Sequence, residues 1–401
     1  MLGQGASVNK SRDIVELILV GWLCIGLFLI LSSMVWSLTG TAYITRIHSG
    51  WVLPSVLLGV WGWRHFLKFW VSNWLLFVFF ISLSVASFIL TENNDGSIRD
   101  LKAVCIFLFG VPAAVRIMAV RNFLLFDVVL FFSGLIVCGY VLVELYDVYA
   151  VHGGRSSGRF SVFPVINNPL YMAQYVGALA VFFLGAAGRI YKNNGQLWPV
   201  FLVMFCILAL AAFKTESRSW LVAMALVCAV SMYSTKRFGL MALGVLCIAA
   251  LGWVFKDQIF TRGISMSYRD QIWMEGIRLG LESPLGQGSE AELRVLQWSE
   301  PHNMFLSMWL MYGVVPLMLF LASLFWLINQ ARLAAPKAYF GWLLPLAFGV
   351  GMLFFEGTNV IHRPNESWLL IWIPICLLLA GKQMASEVPV SIIGSKKVRK
   401  Q

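Results

Sequence analysis

Charge is what this sequence has least of. Only 12% of its 401 residues are Asp, Glu, Lys or Arg, about half the share of a soluble globular chain. With 59% hydrophobic residues and a mean hydropathy of +0.79, the chain has too little polar surface to meet water all round. Lipid is its solvent. Ordered cysteine chemistry is also missing. The seven cysteines (Cys24, Cys105, Cys138, Cys206, Cys228, Cys247, Cys376) all fall inside apolar runs, and none has CxxC spacing. They read as packing residues, with neither a metal site nor a disulfide framework suggested. Internal repeats and low-complexity segments are absent. Ionisable residues scarcely occur within the apolar runs: Asp127 lies near one end of its run and Glu144 near the end of another. A transporter or flippase calls for charges at mid-membrane and often for paired repeats, so transport is disfavoured.

Long apolar runs are what the sequence has instead. A membrane helix needs about 20 apolar residues, and runs fall near 14–38, 50–63, 70–91, 101–119, 123–147, 169–188, 197–214, 218–234, 238–255, 302–329, 339–357 and 366–381. They are continuous rather than alternating, which favours helices over a barrel. The fold class expected is an all-α polytopic membrane protein of about twelve spans, a single integral membrane domain over 1–401. The first run follows Lys10 and Arg12 but is long and lacks a small-residue cleavage site, so it reads as a retained span. With twelve spans both termini share a side. That side holds 17 of the 30 basic residues but 4 of the 19 acidic ones. The positive-inside rule therefore puts the termini in the cytoplasm. The net charge of +11 is a topology signal, and nucleic acid is not an expected partner. The basic tail, 383–401, is expected near anionic lipid headgroups.

The polar chemistry gathers in the outer connections. The largest runs from Lys256 to Pro301. Within it, 267–281 (SYRDQIWMEGIRLGL) has helical spacing and no proline. Trp273, Gly276 and Gly280 fall within about 40° of Arg269 on a helix. Arg278, nine residues on, faces the other way. Two glycines beside Arg269 permit close approach, so Arg269 is the better candidate to face a ligand; either arginine could equally snorkel to headgroups. Ser283-Pro-Leu-Gly-Gln-Gly-Ser289 then reads as a turn that ends the helix.

His302 is the leading candidate for chemistry. Ser299 or Glu300 is expected to cap a helix with Pro301 at its first position, leaving His302 in the first turn of the run 302–329. The positive end of that helix disfavours a protonated imidazole, and a neutral histidine can accept a proton near pH 7. Gly313, eleven residues on, would share the face of His302 about 16 Å deeper. A groove there would suit a lipid chain or a neighbouring helix. The alternative for His302 is interfacial packing. Arg218 opens a run after Thr215-Glu216-Ser217, where helix-start amides and a guanidinium form an anion site, or where Arg218 simply pairs with Glu216. Arg155, Arg159 and Asn167-Asn168-Pro169 sit in a Gly/Ser-rich loop that could fold over a diphosphate or remain a polar loop. Arg363 and Glu366, at the last outer turn, fit a rim role, and Asn303 is a possible acceptor contact. No Asp-x-Asp stands near His302. Arginines without clustered carboxylates suit a substrate that carries its own phosphates and needs no divalent ion.

These residues resemble a known family. His302-Asn303 followed by Gly313, with ten residues between histidine and glycine, resembles the signature of bacterial O-antigen ligases. Arg269…Trp273, the Pro284…Gly286-x-Gly288 turn and Arg159…Asn168-Pro169 are similar to the wider O-antigen ligase/polymerase superfamily. The resemblance covers essentially the whole chain. It implies a GT-C-like glycosyltransferase of the inner membrane, with 256–301 as a periplasmic loop containing short helices. It implies transfer of a glycan from undecaprenyl diphosphate to the lipid A-core oligosaccharide, inverting, metal-independent and without a cofactor. His302 would deprotonate or position the acceptor hydroxyl. Arg218, Arg269, Arg159 and Arg278 would be the candidates to neutralise the diphosphate. O-antigen polymerase is the nearest alternative. It tends to show two substantial arginine-bearing loops, and 147–169 is about half the length of the main one.

Overall fold

A computed structural model describes residues 4–36, 45–91, 94–120, 123–147, 150, 169–192, 195–215, 217–235, 268–288, 301–334, 339–357 and 368–387. The described residues are predominantly helical, with no strand among them. In lipid this follows from the backbone: a helix satisfies its own N–H and C=O groups where no water can. The elements are α1 (Gln4–Trp36), a π-helical turn (His48–Val52), α2 (Leu53–Trp61), α3 (Trp63–Ser72), α4 (Trp74–Leu90), α5 (Asn94–Ala119), α6 (Leu124–Tyr146), α7 (Pro169–Lys192), α8 (Trp198–Lys214), α9 (Arg218–Thr235), α10 (Arg269–Glu282), α11 (Met304–Tyr312), α12 (Val314–Ala334), α13 (Tyr339–Phe355), a second π-helical turn (Trp368–Trp372) and α14 (Ile373–Glu387).

Six of these helices are long and apolar enough to cross a membrane, or seven if the bent pair α3–α4 is one span. Three shorter apolar helices, Trp198–Lys214, Arg218–Ser231 and Gly341–Phe355, accompany them. The expected count of twelve is not reached among the described residues. The run 238–255 lies outside them, and so do most of the 256–301 loop and the tail beyond 387. Two expected spans differ for physical reasons. The run 50–63 is a π-turn and a nine-residue helix, and 302–329 is broken at Gly313.

The helix ends fall on two faces. On one, Arg116 pairs with Glu16 and Arg189 with Asp127. There too, Lys382 donates to the Ser72 carbonyl and to Asn73 Oδ1 at 3.3 and 3.2 Å. On the opposite face lie the starts of α7 and α9, the end of α13, and α10 and α11. Three packing partners, α7, α9 and α13, meet beneath that second face. Gly185 of α7 lies against Gly341 of α13, and Gly177 lies against Phe348, so these two helices run antiparallel. A cluster of aromatic rings fills the centre. Phe107 stacks on Trp368 at 4.7 Å and meets Trp372 at 4.5 Å.

Candidate active site

The site is built around a sharp break. Gly313 ends α11 with φ 90° and ψ 174°, a conformation confined to glycine. A Cβ there would stand 2.3 Å from the Leu285 carbonyl oxygen. Ending a helix frees its last carbonyls, and the turn 283–288 supplies donors for them. Gln287 N–H bonds the Leu310 carbonyl at 2.8 Å and Gly288 N–H the Met311 carbonyl at 2.9 Å; Val314 N–H returns to the Pro284 carbonyl at 2.9 Å. The chain folds back at this point. Phe305 and Phe320 would be about 22 Å apart along one straight helix, yet their rings stand 6.5 Å apart.

α11 therefore lies across the ends of other helices. Met304, at its start, packs on Gly357 just past α13. Tyr312, at its end, donates to Asp100 Oδ2 at 3.0 Å near the start of α5, where Ser87 also donates at 2.9 Å. This corrects the reading of 302–329 as one span. Gly313 is a corner under the Pro284–Leu285 backbone, so His302 and Gly313 do not share one face of a single straight span.

The helix start is corrected as well. Pro301 is not helical, and Asn303 is the cap. Its backbone is extended, and its Oδ1 accepts from Leu306 N–H at 3.0 Å. Ser299 and Glu300 lie outside the described residues. Asn303, a possible acceptor contact from the sequence, is 6% exposed, and its Oδ1 is engaged in the cap. His302 precedes it with φ 49°, a left-handed backbone uncommon outside glycine, though asparagine, aspartate and histidine adopt it more readily than other side chains. Tyr268, just before Arg269, is likewise left-handed at φ 61°. Two strained corners thus precede two candidate functional helices, and such strain persists only where the surroundings hold it.

α10 follows the 267–281 expectation closely. It buries Ile272, Gly276 and Gly280, with Gly280 against the Trp309 indole. Trp273 Nε1 donates to the Pro301 carbonyl at 3.1 Å. Its ring meets Phe354 and Phe355 at 5.4 and 5.8 Å. Trp273 thereby ties the α10 face that carries Arg269 to the His302 corner and to the end of α13.

The two arginines of α10 have different surroundings. Arg269 pairs with Glu356, whose side chain is 7% exposed against 21% for Arg269. Arg278, on the exposed face, pairs with Glu275 and Glu282. These acids hold the Arg278 guanidinium above its usual range, and Arg278 holds the Glu275 carboxyl below its own. The half-buried His302 has its imidazole held below the ordinary value by burial first and by the charge of Arg269 second. It is therefore neutral at pH 7 and can accept a proton.

Arg218 opens α9. Ser217 Oγ accepts from Trp220 N–H at 3.3 Å and lies 2.9 Å from Ser219 Oγ. Lower down, Gly351 of α13 meets Ala223 of α9. Counting five residues up each antiparallel helix from that contact brings Arg218 level with Glu356. The same end of the bundle thus carries Arg218, Arg269, Glu356 and His302. Arg155, Arg159 and Arg363 lie outside the described residues. Glu356 was not singled out from the sequence. The one available signal was a lone acid closing an apolar run, between Phe354-Phe355 and Gly357. Among the described residues, no group of three or more His, Cys, Asp or Glu is arranged to hold a metal ion.

Residues 202–321 match the family model described as O-antigen ligase. An O-antigen ligase from Pseudomonas aeruginosa is 28% identical over 234 residues, which is 55% of this chain and 57% of that protein. The aligned part thus spans little more than half the length of either chain. Arg218, Arg269, His302 and the Gly313 corner all lie within 202–321, the segment that is similar to the O-antigen ligase family.

Proposed function

We propose that this protein is an inner-membrane glycosyltransferase that moves a glycan from undecaprenyl diphosphate to lipid A-core oligosaccharide on the periplasmic face. Both termini are cytoplasmic in this reading, and the fold is GT-C-like. The observation that carries it is the meeting of Arg269, Glu356 and His302 at one end of the bundle, level with Arg218. Arg269 is held by a carboxylate rather than left to swing, so its charge is fixed before substrate arrives. Fixed charge at a developing anion is the most effective kind of transition-state stabilisation.

The acceptor hydroxyl attacks the sugar carbon that bears the diphosphate. A new C–O bond forms on the opposite face, and the bond from that carbon to the diphosphate oxygen breaks. The electron pair leaves on undecaprenyl diphosphate, beside Arg218 and Arg269. The hydroxyl proton passes to neutral His302. A histidine held below its ordinary value is a modest base, which suffices where the leaving group departs early and attack is late. One displacement inverts the sugar carbon. The guanidinium groups carry the anion, so the step needs no divalent ion.

The test is transfer by purified protein from a defined diphosphate-linked donor to lipid A-core. A second arm offers another glycan as acceptor. Product on lipid A-core that survives chelator supports the reading. Chain extension alone would make the protein a polymerase, and a strict Mg²⁺ requirement would overturn the arginine mechanism.

A further inference from the structure

We propose that α3, on the face opposite the candidate active site, is an in-plane helix that binds the phosphate of an anionic phospholipid between Arg64 and Lys68. The site does not depend on glycosyl transfer. It rests on a bend, three separate arcs on one helix, and a lysine that fixes the bend.

α3 and α4 meet at 94°. If α4 crosses the bilayer, α3 lies along its surface. The corner is Asn73, whose Nδ2 bonds the Phe69 carbonyl at 2.8 Å. Lys382, above the Trp326 ring at 4.3 Å, donates to the Ser72 carbonyl and to Asn73 Oδ1. The ammonium thus caps the carbonyl end of α3, where cations are favoured. This corner shares its face with the Arg116–Glu16 and Arg189–Asp127 pairs, the basic side of the molecule.

At about 100° per residue, the ten residues of α3 divide into three arcs. Phe66, Phe69 and Trp70 face the bundle: Phe66 stacks on Phe109 at 5.0 Å, Phe69 meets the Trp70 ring at 5.1 Å, and Trp70 Nε1 donates to the Leu108 carbonyl at 3.2 Å. Next round the helix come Trp63, Leu67 and Val71, which are 55%, 49% and 74% exposed. Beyond them come Arg64, Lys68, Ser72 and His65, all exposed. With the bundle on one side, the apolar arc points into the acyl chains and His65 towards water. Arg64 and Lys68 fall between, at headgroup depth. That order of arcs is what an interfacial helix requires.

Neither Arg64 nor Lys68 is in an ion pair among the described residues; Arg64 lies over the Trp63 ring at 5.7 Å. No acid occurs in α3. Two cations four residues apart stand one turn from each other, a spacing that lets both reach one phosphate. Basic residues beside an apolar stripe are attracted to anionic leaflets, with the attraction screened by salt.

The experiment uses the full chain in nanodiscs of phosphatidylcholine with and without phosphatidylglycerol. Unfolding midpoint and lipids retained in native mass spectrometry are measured. Phosphatidylglycerol is expected to raise the midpoint of the native protein and to remain bound. Arg64→Gln/Lys68→Gln should weaken its apparent affinity at least about tenfold while leaving the midpoint in pure phosphatidylcholine unchanged. Arg64→Lys/Lys68→Arg, which keeps both charges, should retain the effect. Equal stabilisation of the Gln/Gln variant and the native protein by phosphatidylglycerol would overturn the assignment. So would stabilisation unaffected by 0.5 M salt, or its loss in the charge-retaining variant.

Discussion

Glu356→Gln tests whether the candidate site works through a fixed Arg269. Glutamine keeps the shape of the side chain and an acceptor oxygen but removes the charge. Breaking a fully buried ion pair by removing one partner costs about 3–5 kcal/mol. Arg269 is 21% exposed, so water recovers part of that, and a loss of about 2–3 kcal/mol is expected. For a chain of this size it lowers the unfolding midpoint by roughly 3 °C. The effect on transfer should be larger. A guanidinium no longer held by its carboxylate loses its aim, and small misplacements of a positioned group cost about a hundredfold in rate. A third readout separates this from general loosening. Arg269 already holds His302 below its ordinary value, and without Glu356 that positive charge is uncompensated. The acidic limb of the pH–rate profile should move to lower pH in Glu356→Gln and to higher pH in Arg269→Gln. It should stay below the ordinary histidine range in both, because burial is the larger cause. The assay is donor-to-core transfer by purified protein between pH 4.5 and 8. Near-normal transfer in Glu356→Gln despite a lowered midpoint would refute the reasoning, and so would limbs that do not move in opposite directions.

Other substitutions report on separate links. Gly313→Ala should lose about 3 kcal/mol or more, since it combines a glycine-only backbone with a Cβ 2.3 Å from the Leu285 oxygen; proteolysis between 283 and 300 should accelerate. Arg278→Ala should stay within about 0.5 kcal/mol and twofold in transfer, because its partners Glu275 and Glu282 hold it on the exposed face of α10; a hundredfold loss of transfer would return it to the site. Tyr312→Phe should cost about 1–2 kcal/mol, leaving Asp100 with Ser87 and the more exposed Arg99, as read by chemical denaturation. His302 is easier to protonate unfolded, near 6.5, than folded. The unfolded chain therefore binds the extra proton first, and stability should fall as pH drops below about 6.5. His302→Asn should remove that part of the pH dependence while abolishing transfer. Asparagine also tolerates the left-handed backbone better than alanine.

What was legible in the sequence was whatever a local pattern decides. The apolar runs gave the helices, because in lipid only helices and closed barrels satisfy the backbone, and continuous rather than alternating runs exclude the barrel. The 267–281 spacing gave α10 almost to the residue, and nine residues of separation put Arg269 and Arg278 on different faces. His302 and Arg218 stood out as polar groups at the edges of apolar runs. The misreadings arose where distant segments decide. The run 302–329 is apolar throughout, and nothing in its hydropathy announces a corner at Gly313. The corner exists because residues 284–288 come back to bond its carbonyls. The cap shifted to Asn303 for a related reason: Trp273 holds the Pro301 carbonyl from outside, so the chain enters α11 three residues later than its proline suggests. Glu356 was missed because a single acid at the end of a run looks like a boundary until its partner, 87 residues earlier, is seen.

The Gly313 corner also explains how a loop can place a candidate catalytic group, His302, on a membrane protein. Had α11 continued into α12, His302 would sit about 16 Å beyond Gly313 along one rigid rod, with only its own helix to orient it. Folded back, α11 is fixed at both ends by different parts of the bundle: by Gly357 of the α13 end at Met304 and by Asp100 of α5 at Tyr312. Its side is covered by α10, which carries Arg269. The histidine is thus held against the same α13 terminus that supplies Glu356. One corner brings together groups from three segments that are remote in sequence. On this view Gly313 matters because it turns the helix, and the ten residues between His302 and Gly313 set the length of the strut. An insertion of one alanine into α11 should therefore abolish transfer, because it rotates His302 by about 100° relative to Tyr312. A compensating deletion elsewhere in 305–311 should restore it. Transfer that tolerates the insertion alone would show that the strut does not set the geometry.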